Sequence, residues 1–170
     1  MYVQKVCNMS VEVVLISACL LDIPCRYNGR SAETSLIPLL QSRKDWCLIP
    51  VCPEQLGGLP TPRHPVEIRQ GDGFDVLKGK ATVETCDGCD MTPHFIRGAE
   101  IVCRIAALTG AGKMITQARS PSCSSQLIYD GRFSSRLVEG YGVCAALLNQ
   151  KGIELIDGQA IGPEKAESIL

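Results

Sequence analysis

Three cysteines stand in loops that follow apolar runs, where side chains do chemistry more often than packing. Cys19 comes just after Val11–Ser17, Cys52 just after Cys47–Val51, and Cys123 in the loop after Lys113–Ala118. If those runs are parallel strands of one open sheet, their carboxyl ends share an edge, the usual place for a ligand in an α/β protein. Three thiolates there form a soft donor set suited to an iron–sulfur cluster or zinc. The opposing reading is that free cysteine is a small buried hydrophobe, and spacing alone does not choose between the two. The flanks of these three, Pro53, Pro121, Ser122 and Ser124, are loop residues that apolar packing does not explain. Cys7, Cys47, Cys103 and Cys144 read as structural fillers, and Cys25 as a residue lining the first loop.

Two polar residues accompany the thiols. Glu54 follows Cys52 by two positions, and a carboxylate beside a metal centre can relay protons. Ser120 precedes Cys123 by three, and its hydroxyl can orient water or substrate. The bland readings are a solvated loop carboxylate and a turn serine before proline. Cys86-Asp87-Gly88-Cys89 has dithiol redox spacing. The next helix begins only at Thr92-Pro93, so the thiol lacks the helix N-terminus that would activate it, and a turn with two incidental thiols competes. The chain has only two histidines. His94 lies near a helix start and reads as structural; His64, beside Arg63 in a proline-rich loop, is a candidate ligand contact. A dinucleotide fingerprint is absent after the first strand, and no helix is expected after Gly71-Asp72-Gly73. Gly110-Ala111-Gly112-Lys113 fails as a phosphate loop, because Met114 replaces the magnesium-binding hydroxyl and Ala107 the first glycine.

The elements that must position these residues alternate in type. Strands are expected at Val11–Ser17, Cys47–Val51, Lys113–Ala118 and Ile153–Ile156, and helices at Thr34–Ser42, from Thr92-Pro93 to Gly110, and Val143–Gln150. Pro38 limits the first helix; Thr92 is expected to cap the second, with Pro93 in its first turn. A hairpin is expected from Phe74–Leu77 and Lys80–Glu84, turning at Lys78-Gly79. Ala18–Arg30, Cys52–Pro65 and Arg119–Ser125 read as loops. The strands are apolar throughout, as in a sheet covered on both faces. The fold class is therefore α/β: a single compact domain over 1–170 with a largely parallel, Rossmann-like sheet flanked by helices. The tail after Asp157 is expected to be loose or to add a short helix.

Composition narrows the function. Seventeen basic residues against eighteen acidic ones give a net charge of −1, without the basic footprint of a nucleic-acid binder. At 45% hydrophobic and 5% aromatic the chain builds an aliphatic core. Ten cysteines fall below the roughly 8–10% of a secreted disulfide scaffold. Ile16-Ser17-Ala18-Cys19 has the look of a lipoprotein cleavage box, but Glu12 interrupts the apolar stretch such a signal needs. No segment approaches the ~18 apolar residues of a membrane helix. The expectation is a cytoplasmic protein with reduced thiols, where cysteine patterns serve metals or catalysis.

Several long motifs then occur in fixed order: SACLLDIPCRYNG, PVCPEQLGGLPTPRHPVEI, ARSPSCSS, IYDGRFS and GYGVCAALLNQKGIELI. Together they resemble the thiouracil desulfurase family, and the likeness runs over about 13–156. It implies a [4Fe–4S] cluster held by three cysteines, which by motif are Cys19, Cys52 and Cys123, leaving one iron not ligated by protein. It also implies that Glu54 and Ser120 are the catalytic carboxylate and serine. Ser124 departs from the glycine usual after the SPSC cysteine, and the Cys86–Cys89 pair has no counterpart in the pattern.

The activity so implied is hydrolysis of C=S to C=O on a thiolated base, with sulfide release. The open iron would polarise the thiocarbonyl, Glu54 would activate water, and Ser120 would hold substrate or water. The neutral charge favours a small base over tRNA, which needs phosphate contacts. The alternatives are a desulfidase of thiouridine nucleosides or tRNA, a non-catalytic cluster or sulfur carrier, and a CxxC thiol oxidoreductase. Oligomeric state is not readable from the sequence.

Overall fold

The computed structural model describes residues 11–32 and 36–161. Its central sheet has four parallel strands: β1 (Glu12–Ser17), β2 (Trp46–Val51), β5 (Lys113–Thr116) and β8 (Glu154–Asp157), in the spatial order β2-β1-β5-β8. β1 is interior because its residues suit burial on both faces. Val14, Leu15 and Ile16 are fully buried; Leu15 joins one apolar cluster, and Val14 and Ile16 the other. β2 is an edge strand, which is why Pro50 is tolerated within it. Its position also exposes Cys47, so the expected buried filler is instead a surface thiol.

Helices cover both faces. α1 (Leu36–Ser42) packs Leu36 and Leu40 against Val14, Ile16, Ile115 and Ile156. Pro38 falls in its first turn, where a missing amide costs no helical hydrogen bond. The start expected at Thr34 lies outside the described residues, as do Cys7 and the tail beyond 161. On the other face α4 (Thr92–Thr109) turns Phe95, Ala99, Val102 and Ala106 to the core, beside Val143, Cys144 and Leu148 of α5 (Val143–Gln150). Met91, not Thr92, is the N-cap of α4. The Thr92 hydroxyl instead accepts the Val83 amide at 2.8 Å and ties the helix to its neighbouring strand.

The middle of the chain differs most from expectation. Phe74–Leu77 is not a strand: it lies in the short helix α3 (Gly73–Leu77). Asp72 caps α3, accepting the Phe74 and Asp75 amides, and Asp75 returns a bond to the Asp72 amide. This reciprocal capping outweighs the strand propensity of a short apolar run, and it places a helix directly after Gly71-Asp72-Gly73. The hairpin is formed instead by β3 (Val66–Arg69) and β4 (Thr82–Thr85), antiparallel. A second small ladder pairs β6 (Leu127–Tyr129) with β7 (Leu137–Glu139). The loop Ala18–Arg30 opens with a 3-10 turn (Ala18–Leu21), and the loop Cys52–Pro65 with the short helix α2 (Pro53–Leu56).

Candidate active site at the carboxyl edge of the sheet

β1, β2 and β5 run parallel, so the segments after them leave the sheet at one edge. They line a cavity of about 360 Å³ whose wall includes Cys19, Cys25, Cys52, Cys123, Glu54 and Ser120. All five candidate residues of the sequence reading meet in this one space, with Cys25 as a fourth thiol.

Cys19 sits in the 3-10 turn directly after β1. Cys52 ends β2 as the N-cap of α2; its carbonyl accepts the Leu56 amide, and its thiol points 3.7 Å from the Cys25 carbonyl. Cys123 belongs to a loop clasped by its own serine: the Ser120 hydroxyl oxygen accepts the amides of Ser122 (3.2 Å) and Cys123 (3.1 Å). The same loop caps α5, with the Pro121 carbonyl accepting the Val143 amide and the Ser122 carbonyl accepting those of Cys144 and Ala145. Gly142 permits this approach, since a Cβ there would lie 2.4 Å from Ser122 carbonyl carbon. Ser124 spends its hydroxyl on the Leu127 carbonyl and does not line the cavity.

Cys25, Cys52 and Cys123 are held protonated in the protein alone. Burial pushes Cys123 up to about 12, opposed by hydrogen bonds from Ser17 and Ser120. Cys25 is raised to about 11, chiefly by its hydrogen bond with Cys19, and Cys52 is raised by its hydrogen bond with Cys25 and then by burial. Thiols so placed give up protons readily only to a cation that replaces them, which is how thiolate ligands bind metal.

Glu54 is anchored by Arg63. The Arg63 Nε donates to Glu54 Oε2 at 2.7 Å, with side chains 6% and 13% exposed. The remaining donors of Arg63 reach the Pro60 carbonyl, the Thr61 hydroxyl and the Cys25 carbonyl. One guanidinium thus fixes the carboxylate and ties α2 to the loop that carries Cys25. Glu54 Oε1 keeps no protein partner among the described residues. The sequence reading noticed Arg63 only as a neighbour of His64; its pairing joins segments no short motif relates. His64 lines the cavity rim and is exposed, whereas His94 is structural, its Nδ1 lying 2.9 Å from the Gly57 carbonyl.

The Cys86–Cys89 segment takes no part. It is an exposed turn organised by Thr85, whose hydroxyl accepts the Cys89 amide, and neither thiol lines the cavity or starts a helix.

The donor set fits an iron–sulfur group better than a single ion. Among the described residues no three His, Cys, Asp or Glu side chains lie close enough to hold one metal ion. Cys19, Cys52 and Cys123 come from three separate segments of the cavity wall, the arrangement for a group whose several irons each take one thiolate.

A parallel sheet with helices on both faces and a thiol-lined cavity at its carboxyl edge is the architecture in which α/β proteins bind ligands. The sequence profile of the 2-thiouracil desulfurase family matches residues 14–159, and the chain belongs to that family. It is 43% identical over 144 residues to the uncharacterized protein YbbK of Bacillus subtilis (strain 168), covering 85% of this chain and 94% of that one. Among solved structures it resembles the [4Fe-4S]-dependent thiouracil desulfidase TudS. There the identity is 36%, the TM-score 0.76, and the match covers 92% of this chain and 97% of that chain.

Proposed function

We propose that this protein hydrolyses the thiocarbonyl of a small thiolated pyrimidine such as thiouracil, giving the oxo base and sulfide, with a [4Fe–4S] cluster on Cys19, Cys52 and Cys123. The observation that carries the reading is that these three thiols, Glu54 and Ser120 line one cavity in a chain of the desulfurase family. Bound by three thiolates, such a cluster supplies an iron without a protein ligand, a Lewis acid for soft sulfur.

The chain's own residues supply the rest. Glu54 Oε1 is the oxygen left to take a proton from water, because Arg63 occupies Oε2. The ion pair fixes the angle at which that oxygen is presented, and Arg63 is itself held through three further acceptors. Ser120 already accepts two amides, so its single hydroxyl proton is what it has to offer, either to the Cys123 sulfur, as in the protein alone, or to substrate or water. The balance is one C=S and one water in, one C=O and one hydrogen sulfide out, with no net electron transfer. A net charge of −1 suits a small base or nucleoside over a polyanion.

The test is anaerobic reconstitution with iron and sulfide, followed by absorption spectra, iron and sulfide counts, and chromatography of 2-thiouracil turnover. Four irons per chain, uracil and sulfide are expected from the wild type. Cys19→Ala, Cys52→Ala and Cys123→Ala are expected to lose iron, while Glu54→Gln keeps it and loses turnover. A Cys19→Ala protein with full iron and activity overturns the ligand assignment. A fully loaded wild type that leaves every thiolated base intact overturns the enzymatic one.

A further inference from the structure

The same cavity holds a buried carboxylate that the proposed reaction does not use. Glu67 on β3 is 8% exposed and lines the cavity. Its neighbour Ile68 enters the core, so the strand's alternation turns Glu67 to the other face. No Lys, Arg or His pairs with it among the described residues. Among the described residues its one hydrogen bond is from the Phe133 amide to Oε2, at 2.9 Å, and none donates to Oε1. That oxygen keeps access to the cavity, where a ligand's donor can reach it.

Phe133, whose amide holds the other oxygen, also lines the cavity. Its backbone is left-handed (φ 55°), unusual for an aromatic residue, and Arg69 lies 5.4 Å from its ring centroid. Phe133 and Tyr129 line the same wall as Glu67. Aromatic surface beside a carboxylate suits a flat ring that carries an N–H donor.

We propose that Glu67 orients the substrate, its Oε1 accepting a ring N–H of the heterocycle. This rests on the reading of the cavity as a thiolated-base site and narrows its substrate class to rings with an unsubstituted N–H, of the thioamide or thiourea type.

The test uses the reconstituted protein under anaerobic conditions and measures binding of the unreactive bases uracil and 1,3-dimethyluracil by calorimetry. Uracil is expected to bind roughly ten- to a hundredfold more tightly, the range of a hydrogen bond to a charged group. Glu67→Gln keeps a carbonyl oxygen for the Phe133 amide and is expected to erase most of that preference. Thiouracil turnover by this variant is expected to rise in KM more than it falls in kcat. Equal affinity of the wild type for the two bases overturns the proposal without any variant, as does a Glu67→Gln protein with unchanged discrimination. Desulfuration by the wild type together with either result leaves the proposed reaction standing and removes Glu67 from it. Discrimination by Glu67 without desulfuration does the reverse.

Discussion

Replacing Gly98 with alanine should damage the site from the far side of a helix. Gly98 lies on α4 where that helix meets α2, and a Cβ there would stand 2.0 Å from the Pro53 carbonyl oxygen. Ordinary contact begins at 3.4 Å, so the carbonyl must retreat by roughly 1.4 Å. It belongs to backbone, and the contact repeats in reverse, since a Cβ on Gly57 would meet the His94 carbonyl oxygen at 2.1 Å. α2 therefore has no slack against α4. Alanine gains ~0.8–1 kcal/mol of helix propensity, but forcing atoms into a packed contact costs ~1–3 kcal/mol. The net loss of about 1 kcal/mol should lower Tm by ~2–4 °C in a chain of this size. Activity should suffer more than stability. Pro53 stands between Cys52 and Glu54, and a displacement of ~1 Å at a reacting group costs about a hundredfold in rate. Thermal unfolding by circular dichroism and thiouracil turnover normalised to iron content measure the two effects. Gly112→Ala is the control, because a Cβ there meets nothing within 4 Å. A Gly98→Ala protein with raised Tm and wild-type turnover refutes the claim that this contact sets the position of Glu54.

Arg63→Ala should destabilise by about 3 kcal/mol, as expected when one partner leaves a largely buried ion pair; Arg63→Lys should recover part of the stability but not the turnover, which denaturant melts and kinetics will separate. Cys25→Ser should retain iron and sulfide at wild-type levels in elemental analysis, in contrast to alanine at Cys19, Cys52 or Cys123. Cys86→Ala and Cys89→Ala should alter neither iron content nor turnover, because both thiols lie in an exposed turn outside the cavity. Asp45, held down to about 2 by its hydrogen bond from Arg43, contributes stability that is fully present above its unfolded value of about 3.9 and is lost as pH falls through 2. Asp45→Asn should slightly flatten the fall in Tm between about pH 4 and 2, and an unchanged slope shows that this exposed pair adds nothing to stability.

The sheet and the thiol set were legible because each rests on local signals that agree. Val14, Leu15 and Ile16 read as a strand buried on both faces, and Val143–Gln150 matches α5 residue for residue. Cys19, Cys52 and Cys123 could be gathered on paper once three strands were assumed parallel, before any motif was considered. What stayed hidden depends on pairings between distant segments. Val66–Arg69 is too short to declare itself a strand until Thr82–Thr85 pairs with it. Asp72 reads as a turn residue until its side chain is seen capping α3. Arg63 and Glu67 were missed as members of the site for the same reason. One meets Glu54 across nine residues and the other meets Phe133 across sixty-six. The single cue for Glu67 was a charge set between Val66 and Ile68.

The order in which the sheet fills has a consequence for how the protein is made. β1 and β2 are early in the chain and pair along their whole length, so a nascent polypeptide can bring Cys19 and Cys52 together well before its synthesis ends. Cys123 follows β5 in sequence, and the loop that carries it is clasped by amides of α5, which is made later still. Of the three proposed cluster ligands Cys123 is therefore the last to be synthesised, and its loop can be clasped only when α5 has emerged.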